Sequence, residues 1–168
     1  MAGRVIASAV KTPLGEGLLS IAEGEVVGLE FIETVDADRV RSPLCEVGAQ
    51  VQRELDLFFS GSLRHFSAGF SLAESSDFQR RVLEECSRVE FGGRITYGEL
   101  ASRLGAPGAS RAVGNALRHN PIALIIPCHR VTRSDGALGG YGGEDTRQRK
   151  KALLDLEQRA LIAEPSAP

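Results

Sequence analysis

The 168-residue chain has only three cysteines and no long apolar run, and these shortages exclude several classes of protein. Cys45, Cys86 and Cys128 are too few and too scattered for a disulfide framework, and no CxxC or HxxxH spacing indicates a zinc site. No stretch approaches the roughly 20 apolar residues that span a bilayer, and the first residues lack the apolar core of a signal peptide. We therefore expect a cytoplasmic protein that has free thiols and does not bind membranes.

The charge is unevenly distributed, although the composition, 42% hydrophobic and 25% charged, is that of an ordinary soluble globular protein. Residues 1–76 contain six basic and eleven acidic side chains, whereas residues 77–168 contain fourteen basic and eleven acidic ones. Between Phe91 and Arg133 there are six arginines and a single acid, Glu99. A polyanion is therefore expected to bind this basic stretch in preference to the rest of the chain.

The pattern along the chain predicts two domains. The first third contains short β-branched or aliphatic runs separated by glycine and proline, which is typical of an antiparallel meander: RVIASAV, GLLSIAEG and EVVGLEFI. An amphipathic helix follows and ends at Gly61. Beyond a polar junction the period becomes helical, and Asp77 is the predicted N-cap of the next helix. We place the domain boundary at Ser76, between residues 1–76 and 77–168.

Two short helices joined by a tight turn, TYGELASRLG and PGASRAVGNALRHN, have the pattern of a helix-turn-helix. The second helix is unusually small-sided, and Gly114 lowers its stability by roughly 1 kcal/mol relative to alanine. It also carries Arg111 and Arg118, which suit contact with phosphate or entry into a groove of nucleic acid. The alternative is that the small side chains only allow tight packing on the neighbouring helix.

The stretch NPIALIIPCHRV places Cys128 directly after an apolar run and a proline. Leu124, Ile125 and Ile126 predict a buried strand, so the thiol lies where a rigid element ends. His129 is positioned to take the thiol proton, and a thiolate is the form of cysteine that attacks carbon. Because neighbouring side chains on a strand point to opposite faces, this pairing requires a turn at Cys128.

Five motifs resemble, in sequence and in order, the active-site half of the O6-alkylguanine-DNA alkyltransferase family: FQRRV, ITYGELA, RAVGNALRHNP, IPCHRV and GGYGG. The resemblance covers about residues 77–157, and TPLGEGLLSIAEG with LDLFFSG is similar to the family's ribonuclease-H-like N-terminal domain. It implies an α/β (α+β) fold, in which an antiparallel sheet domain precedes a mostly helical domain with a winged-helix-like helix-turn-helix. In this family the damaged guanine is flipped out of the duplex, where its O6 substituent can be reached, and the alkyl group passes to cysteine.

The resemblance also implies the residues of the site. Cys128 is the alkyl acceptor and His129 is the base that activates it. Glu157 orients this base, and Asn120 braces the turn before the cysteine. The residues implied to contact the flipped base are Tyr97, Arg111, Val131, Tyr141 and Gly142. The residues implied to contact DNA through the second helix are Ser110, Arg111, Ala112, Gly114 and Arg118.

The reaction implied by the resemblance is a single irreversible transfer from O6-alkylguanine, and also from O4-alkylthymine, in double-stranded DNA. It implies a monomer and no cofactor. We expect no metal, because the N-terminal half offers no zinc ligands beyond Cys45 and His65. Two other functions remain open: a lesion-binding protein of the related alkyltransferase-like group, whose members lack the acceptor cysteine, and a cysteine hydrolase, which needs turnover and an oxyanion hole.

Overall fold

The computed structural model describes residues 5–32, 40, 43–139 and 144–163. The chain divides into two compact units, one made of Met1–Ala73 with Pro121–Ile125 and the other of Glu74–Asn120 with Ile126–Pro168. A single boundary at Ser76 does not describe the return of residues 121–125 to the first unit.

The first unit contains the predicted antiparallel meander, with β1 (Ile6–Thr12), β2 (Gly15–Ala22) and β3 (Glu25–Ile32) hydrogen-bonded in that order. The turns between the strands are two residues long, so each strand can pair only antiparallel with the one before it. Helix α1 (Glu46–Phe59) packs on β1 and β2 through buried apolar residues. The predicted meander and helix are confirmed.

Residues 124–126 are buried, but they do not form the predicted strand. Pairing with β3 is limited to one bridge between Leu29 and Ile122, next to a 2.8 Å hydrogen bond from the Leu29 N–H to the Pro121 carbonyl. Leu124 then turns the chain with a φ of 68°, a left-handed conformation that ends an extended segment. The prediction is wrong because apolar burial alone does not distinguish a strand from a buried turn.

Helices dominate the second unit, which begins with α2 (Asp77–Ser87). Its N-cap is Ser76, whose side chain accepts a hydrogen bond from the Gln79 N–H at 3.3 Å. The prediction of Asp77 as the cap is therefore wrong by one position. Asp77 instead takes the first helical position, where a carboxylate also interacts favourably with the helix dipole.

The predicted helix-turn-helix is confirmed by α3 (Tyr97–Arg103) and α4 (Ser110–Arg118), which pack against each other. A capping box fixes the start of α3: the Thr96 hydroxyl accepts from the Glu99 N–H at 3.1 Å, and the Glu99 carboxylate accepts from the Thr96 N–H at 2.7 Å. Gly105, with a φ of 73°, lies in the turn after α3.

The rest of the second unit surrounds the cysteine motif. Strands β4 (Ile95–Thr96) and β5 (Val131–Thr132) form a short parallel pair, and a 3-10 turn (Cys128–Arg130) directly precedes β5. The 20-residue helix α5 (Glu144–Ala163) packs on this turn. The expected α+β class, with a sheet in the first part and helices in the second, is confirmed. No helix in the described ranges combines the length and apolar character needed to cross a membrane.

Candidate active site

The chain turns at Cys128, as the pairing of this cysteine with a neighbouring base requires. The Arg130 N–H closes the 3-10 turn by donating to the Pro127 carbonyl at 2.9 Å. Three residues complete one turn of a 3-10 helix, so the side chains of Cys128 and His129 are not forced to opposite faces as on a strand. Cys128 is 4% exposed and His129 is fully buried, so the turn places both side chains inside the second unit.

Asn120 holds together the thiol and the chain that precedes it. Its Nδ2 group donates to the Ile126 carbonyl at 3.0 Å and to the Cys128 sulfur at 3.2 Å. A donor aimed at the sulfur stabilises the thiolate more than the thiol, because hydrogen bonds to an ionised acceptor are stronger. Asn120 therefore contacts the Cys128 thiol as well as bracing the turn.

His129 and Glu157 form a buried pair, with His129 Nε2 at 2.8 Å from Glu157 Oε1. Burial lowers the pKa of His129, although the hydrogen bond and negative charge of Glu157 oppose this, so the imidazole is neutral near pH 7. When Nε2 donates to the carboxylate, Nδ1 is the acceptor of the neutral ring. His129 Nδ1 is buried and has no hydrogen-bond partner among the described residues, so it is available to accept a proton.

Arg130 is a third member of this buried cluster, and no sequence pattern predicted a role for it. Its Nε and Nη2 groups donate to Glu157 Oε1 at 3.0 and 2.8 Å, and the Gly92 N–H donates to Glu157 Oε2 at 2.9 Å. Burial alone raises the pKa of Glu157, but the hydrogen bonds and charges of His129 and Arg130 outweigh it and lower the pKa to about 2. Glu157 is therefore ionised at neutral pH and fixes the orientation of the imidazole.

Lys150 is a second residue of the site that the sequence does not reveal. It is fully buried on α5, its ammonium donates to the Val131 carbonyl, and its nitrogen lies 5.8 Å from the centre of the Tyr97 ring. Burial lowers the pKa of Lys150 to about 8, and negative charge on Cys128 opposes this. A cation thus lies within electrostatic range of the sulfur and favours the thiolate. In the sequence Lys150 is one of two adjacent lysines in a charged run, which is the pattern of a surface.

Tyr97, the first residue of α3, lies close in space to two glycines, Gly114 and Gly139. A Cβ added to Gly114 would contact the tyrosine ring at an ordinary 3.7 Å, whereas a Cβ added to Gly139 would lie 2.8 Å from the tyrosine hydroxyl. Burial raises the pKa of Tyr97, and negative charge on Cys128 adds to the effect. The phenol is therefore protonated at neutral pH and can donate a hydrogen bond.

We expect Gly139→Ala to displace Tyr97 and to slow any reaction that uses its hydroxyl. The φ of Gly139 is 80°, so alanine also costs about 1–2 kcal/mol of backbone strain. Gly136→Ala is the matched control, because its φ is 82° but a Cβ there meets no atom within 4 Å. In thermal unfolding Gly136→Ala should lose only the cost of backbone strain and Gly139→Ala at least as much, and only Gly139→Ala should react more slowly with O6-benzylguanine, a small substrate of the kind that the sequence resemblance implies. Equal rates in the two variants would contradict the close packing of Gly139 on Tyr97.

Helix α4 presents three of the five predicted DNA-contacting residues on its outer face. The residues that it buries are Val113, Ala116 and Leu117. Exposed residues on the opposite side are Arg111, Ala112, Asn115 and Arg118, with Ser110 and Gly114 half-buried at the edge. Neither arginine forms an ion pair with any residue that the structure describes. An exposed helix face with unpaired basic side chains suits a polyanion.

The remaining predicted residues divide into two groups. Val131 is fully buried in β5 and joins the site through its carbonyl, which accepts from Lys150. Tyr141 and Gly142, predicted to form the wall of the alkyl pocket, lie outside the described residues. Hydrogen bonds join four of the other predicted residues in two pairs, Asn120 with Cys128 and His129 with Glu157. Lys150 contacts both Tyr97 and Val131.

Comparison with known proteins identifies the family of this chain. The family model described as 6-O-methylguanine DNA methyltransferase, DNA binding domain, matches residues 77–159. The methylated-DNA--protein-cysteine methyltransferase of Mycobacterium bovis is 48% identical over 105 residues, which cover 62% of this chain and 62% of the relative. The protein of the same name from Mycolicibacterium paratuberculosis is 40% identical over 154 residues, 89% of this chain and 90% of the relative.

A solved structure extends this similarity to the fold. The crystal structure of Mycobacterium tuberculosis OGT in complex with DNA matches with a TM-score of 0.81 and 36% sequence identity, covering 92% of this chain and 93% of that one. The likeness therefore includes both units and not only the part that the family model matches. The chain belongs to the methylated-DNA--protein-cysteine methyltransferase family.

Proposed function

We propose that this chain repairs DNA by direct reversal, transferring the alkyl group of an O6-alkylguanine irreversibly to Cys128. The observation that carries the proposal is the contact between the Cys128 sulfur and Asn120, beside the buried pair of His129 and Glu157. A nucleophile with a hydrogen-bond donor and an oriented base nearby is what covalent catalysis needs. Membership of the family, and the DNA bound to a structural relative, support DNA as the substrate.

The proton of Cys128 passes to His129, directly or through one water, and the ionised Glu157 stabilises the imidazolium that results. Asn120 and the Lys150 ammonium stabilise the thiolate. The sulfur then bonds to the alkyl carbon while the bond from that carbon to guanine O6 breaks. Tyr97 donates a hydrogen bond as the base gains negative charge. His129 returns its proton to the base, which remains in the DNA as unmodified guanine.

The duplex docks on the outer face of α4. Gly114 has room for a Cβ at ordinary contact distance from Tyr97, so packing on the neighbouring helix does not demand glycine there. The bare surface instead suits close approach of the DNA backbone. A protein thiol can reach the O6 substituent only on a base that has flipped out of the stack. Arg111 fills the space that the flipped guanine leaves.

The thioether product is not hydrolysed, so each chain acts once. The transfer itself requires no redox group, because the alkyl carbon keeps its oxidation state, and we propose that it uses no metal or nucleotide. We propose that the protein acts as a monomer in the cytoplasm on double-stranded DNA, with O4-alkylthymine as a further substrate.

Intact-protein mass spectrometry tests this function. Incubation with an O6-methylguanine duplex should add about 14 Da to the chain, once per molecule and on the peptide that contains Cys128, as expected for covalent acceptance. The same duplex with unmodified guanine is the control and should leave the mass unchanged. Unchanged mass with tight binding to the lesion would indicate a lesion-binding protein, and repeated release of free methanol would indicate a hydrolase.

Arg111→Ala should slow transfer from duplex DNA on the order of tenfold to a hundredfold, because flipping a base costs a few kcal/mol that this side chain offsets. Reaction with free O6-benzylguanine should be unchanged, since the free base needs no flipping. Arg159→Ala removes the same charge from an exposed position on α5 and serves as the control. If Arg111→Ala lost both activities equally, Arg111 would not have the flipping role.

A further inference from the structure

An open cavity of about 530 Å³ lies along α3, within the second unit and apart from Cys128. We name this feature the α3 cavity. The residues that line it are Arg94, Ile95, Gly98, Glu99, Ser102, Arg103 and Pro107. Gly98 and Ser102 are four residues apart, as are Glu99 and Arg103, so the cavity follows one side of the helix from its start to the turn before α4.

The α3 cavity has two arginines whose charges are available to an anion. Arg94 is exposed and forms no ion pair with a residue in the described ranges, although Asp155 is within its electrostatic range. Arg103 is paired with Glu85 only at 3.5 Å, and its side chain is 54% exposed. Glu85 keeps its closer ion pair with Arg88 at 2.5 Å, so an incoming anion can displace the longer contact with Arg103 at little cost.

The acidic residue among those that line the α3 cavity is Glu99, and its carboxylate is already engaged. It accepts the Thr96 N–H at 2.7 Å in the capping box of α3. The Ser102 hydroxyl donates to the Gly98 carbonyl at 2.9 Å, so its oxygen is oriented by the helix. The two guanidinium groups therefore determine the electrostatic preference of this surface, which is for an anion.

The α3 cavity adjoins the start of the helix that docks on DNA. The Cβ position of Gly98 lies 3.7 Å from the hydroxyl of Ser110, the first residue of α4, and Pro107 belongs to the turn between the helices. In a helix-turn-helix the second helix enters a groove while the first crosses the phosphate backbone. A strand that borders the groove occupied by α4 is therefore expected to pass along α3.

We propose that the α3 cavity binds the phosphodiester backbone of the DNA strand flanking the groove, with Arg94 and Arg103 as its phosphate contacts. This inference rests on the proposed DNA-repair function and adds to it a docking surface outside α4. Arginine suits the role because its planar fork matches the geometry of phosphate oxygens. Contacts of this kind add affinity without base specificity, and they position the duplex for α4.

The salt dependence of DNA binding tests this surface. Binding of the full chain to a fluorescent duplex is measured by anisotropy from 50 to 300 mM salt, roughly the range in which counterion release is resolved. Log affinity falls against log salt, and each phosphate contact makes this fall steeper by about 0.9. The slope of the double variant Arg94→Gln/Arg103→Gln should therefore be shallower than the wild-type slope by about 1.8. At about 0.1 M salt its Kd should rise on the order of tenfold or more.

Arg88→Gln is the matched control for this experiment. Arg88 is exposed and pairs with the same Glu85 as Arg103, but it does not line the α3 cavity. Its slope should match that of the wild-type chain. All variants should react with free O6-benzylguanine at the wild-type rate, which also verifies that they are folded.

The outcomes separate this inference from the proposed function. Wild-type slopes in the double variant, or an equal loss in Arg88→Gln, would overturn the α3 cavity as a backbone-binding surface while leaving the repair reaction intact. A wild-type chain that neither binds the duplex nor accepts an alkyl group would instead refute the proposed function. Inorganic phosphate that competed at micromolar concentration would indicate a site for small anions, and would also overturn the inference.

Discussion

Cys128→Ser is expected to abolish alkyl transfer while leaving the affinity for DNA within about twofold of the wild type. Serine keeps the shape of the side chain and can still accept the hydrogen bond from Asn120. Its hydroxyl is far harder to ionise than a thiol, so the Lys150 ammonium and neutral His129 do not suffice to form an alkoxide. The rate should fall by at least about 10³-fold, measured as incorporation of a labelled alkyl group.

Cys45→Ser is the control for this substitution, because Cys45 is a half-buried free thiol of the first unit. It should accept alkyl groups at the wild-type rate. Labelling that persisted in Cys128→Ser, or that disappeared in Cys45→Ser, would assign the acceptor role to a different residue. Duplex affinity measured by anisotropy distinguishes a lost nucleophile from a lost fold.

Glu157→Gln is expected to have the second-largest effect, because it removes the carboxylate that His129 and Arg130 share. Arg130 would be left buried without its counter-charge, which typically costs about 3–5 kcal/mol of unfolding free energy. His129 would lose the group that orients it and stabilises its protonated form, so transfer should slow by roughly 10²–10⁴-fold. Urea unfolding and the rate with O6-benzylguanine measure the two losses separately.

The pH dependence of this stability has a definite sign. The pKa of Glu157 is lowered from its ordinary 4.5 to about 2 by its partners, so its contribution is fully present above pH 4.5. That contribution is lost as the pH falls from about 4.5 through about 2, and the stability difference between wild type and Glu157→Gln should shrink in the same window. Asp155→Asn, an exposed change of equal charge on the same helix, should not reproduce the neutral-pH loss of stability.

A double variant separates the structural role of Glu157 from its catalytic role. Glu157→Gln/Arg130→Met removes both members of the buried ion pair, and such replacements are often neutral or stabilising. The double variant should therefore recover much of the lost stability. Its transfer rate should stay low, because His129 still lacks its carboxylate. Recovery of the rate together with the stability would show that Glu157 acts only through the fold.

Much of the fold and part of the site could be predicted from local patterns. The three strands, the capped helix α3 and the helix-turn-helix depend on periodicity and on glycine, proline and capping residues, all of which act over a few positions. The pairing of Cys128 with His129 predicted a turn at Cys128, and the structure has one there. The N-cap at Ser76 was missed because Ser76 and Asp77 are both good capping residues, and only backbone geometry selects between them.

The predictions that were wrong or missing concern residues whose environment depends on distant parts of the chain. Residues 124–126 have the composition of a strand, but only one bridge to β3 forms before Leu124 turns the chain. Lys150 lies in a charged run, yet it is buried because α5 packs on the turn that contains Cys128. Nothing within a few residues of either position carries that information.

By itself the sequence determined the kind of chemistry, since a cysteine beside a histidine after a proline, within ordered motifs, points to one nucleophile and its base. Only the tertiary structure decided which groups surround that cysteine and that histidine. Asn120 on the sulfur, Arg130 on Glu157 and Lys150 beneath Tyr97 are brought together by packing. The physical reason is range: helix and turn preferences act between near neighbours, whereas burial and charge act through space between residues far apart in the chain.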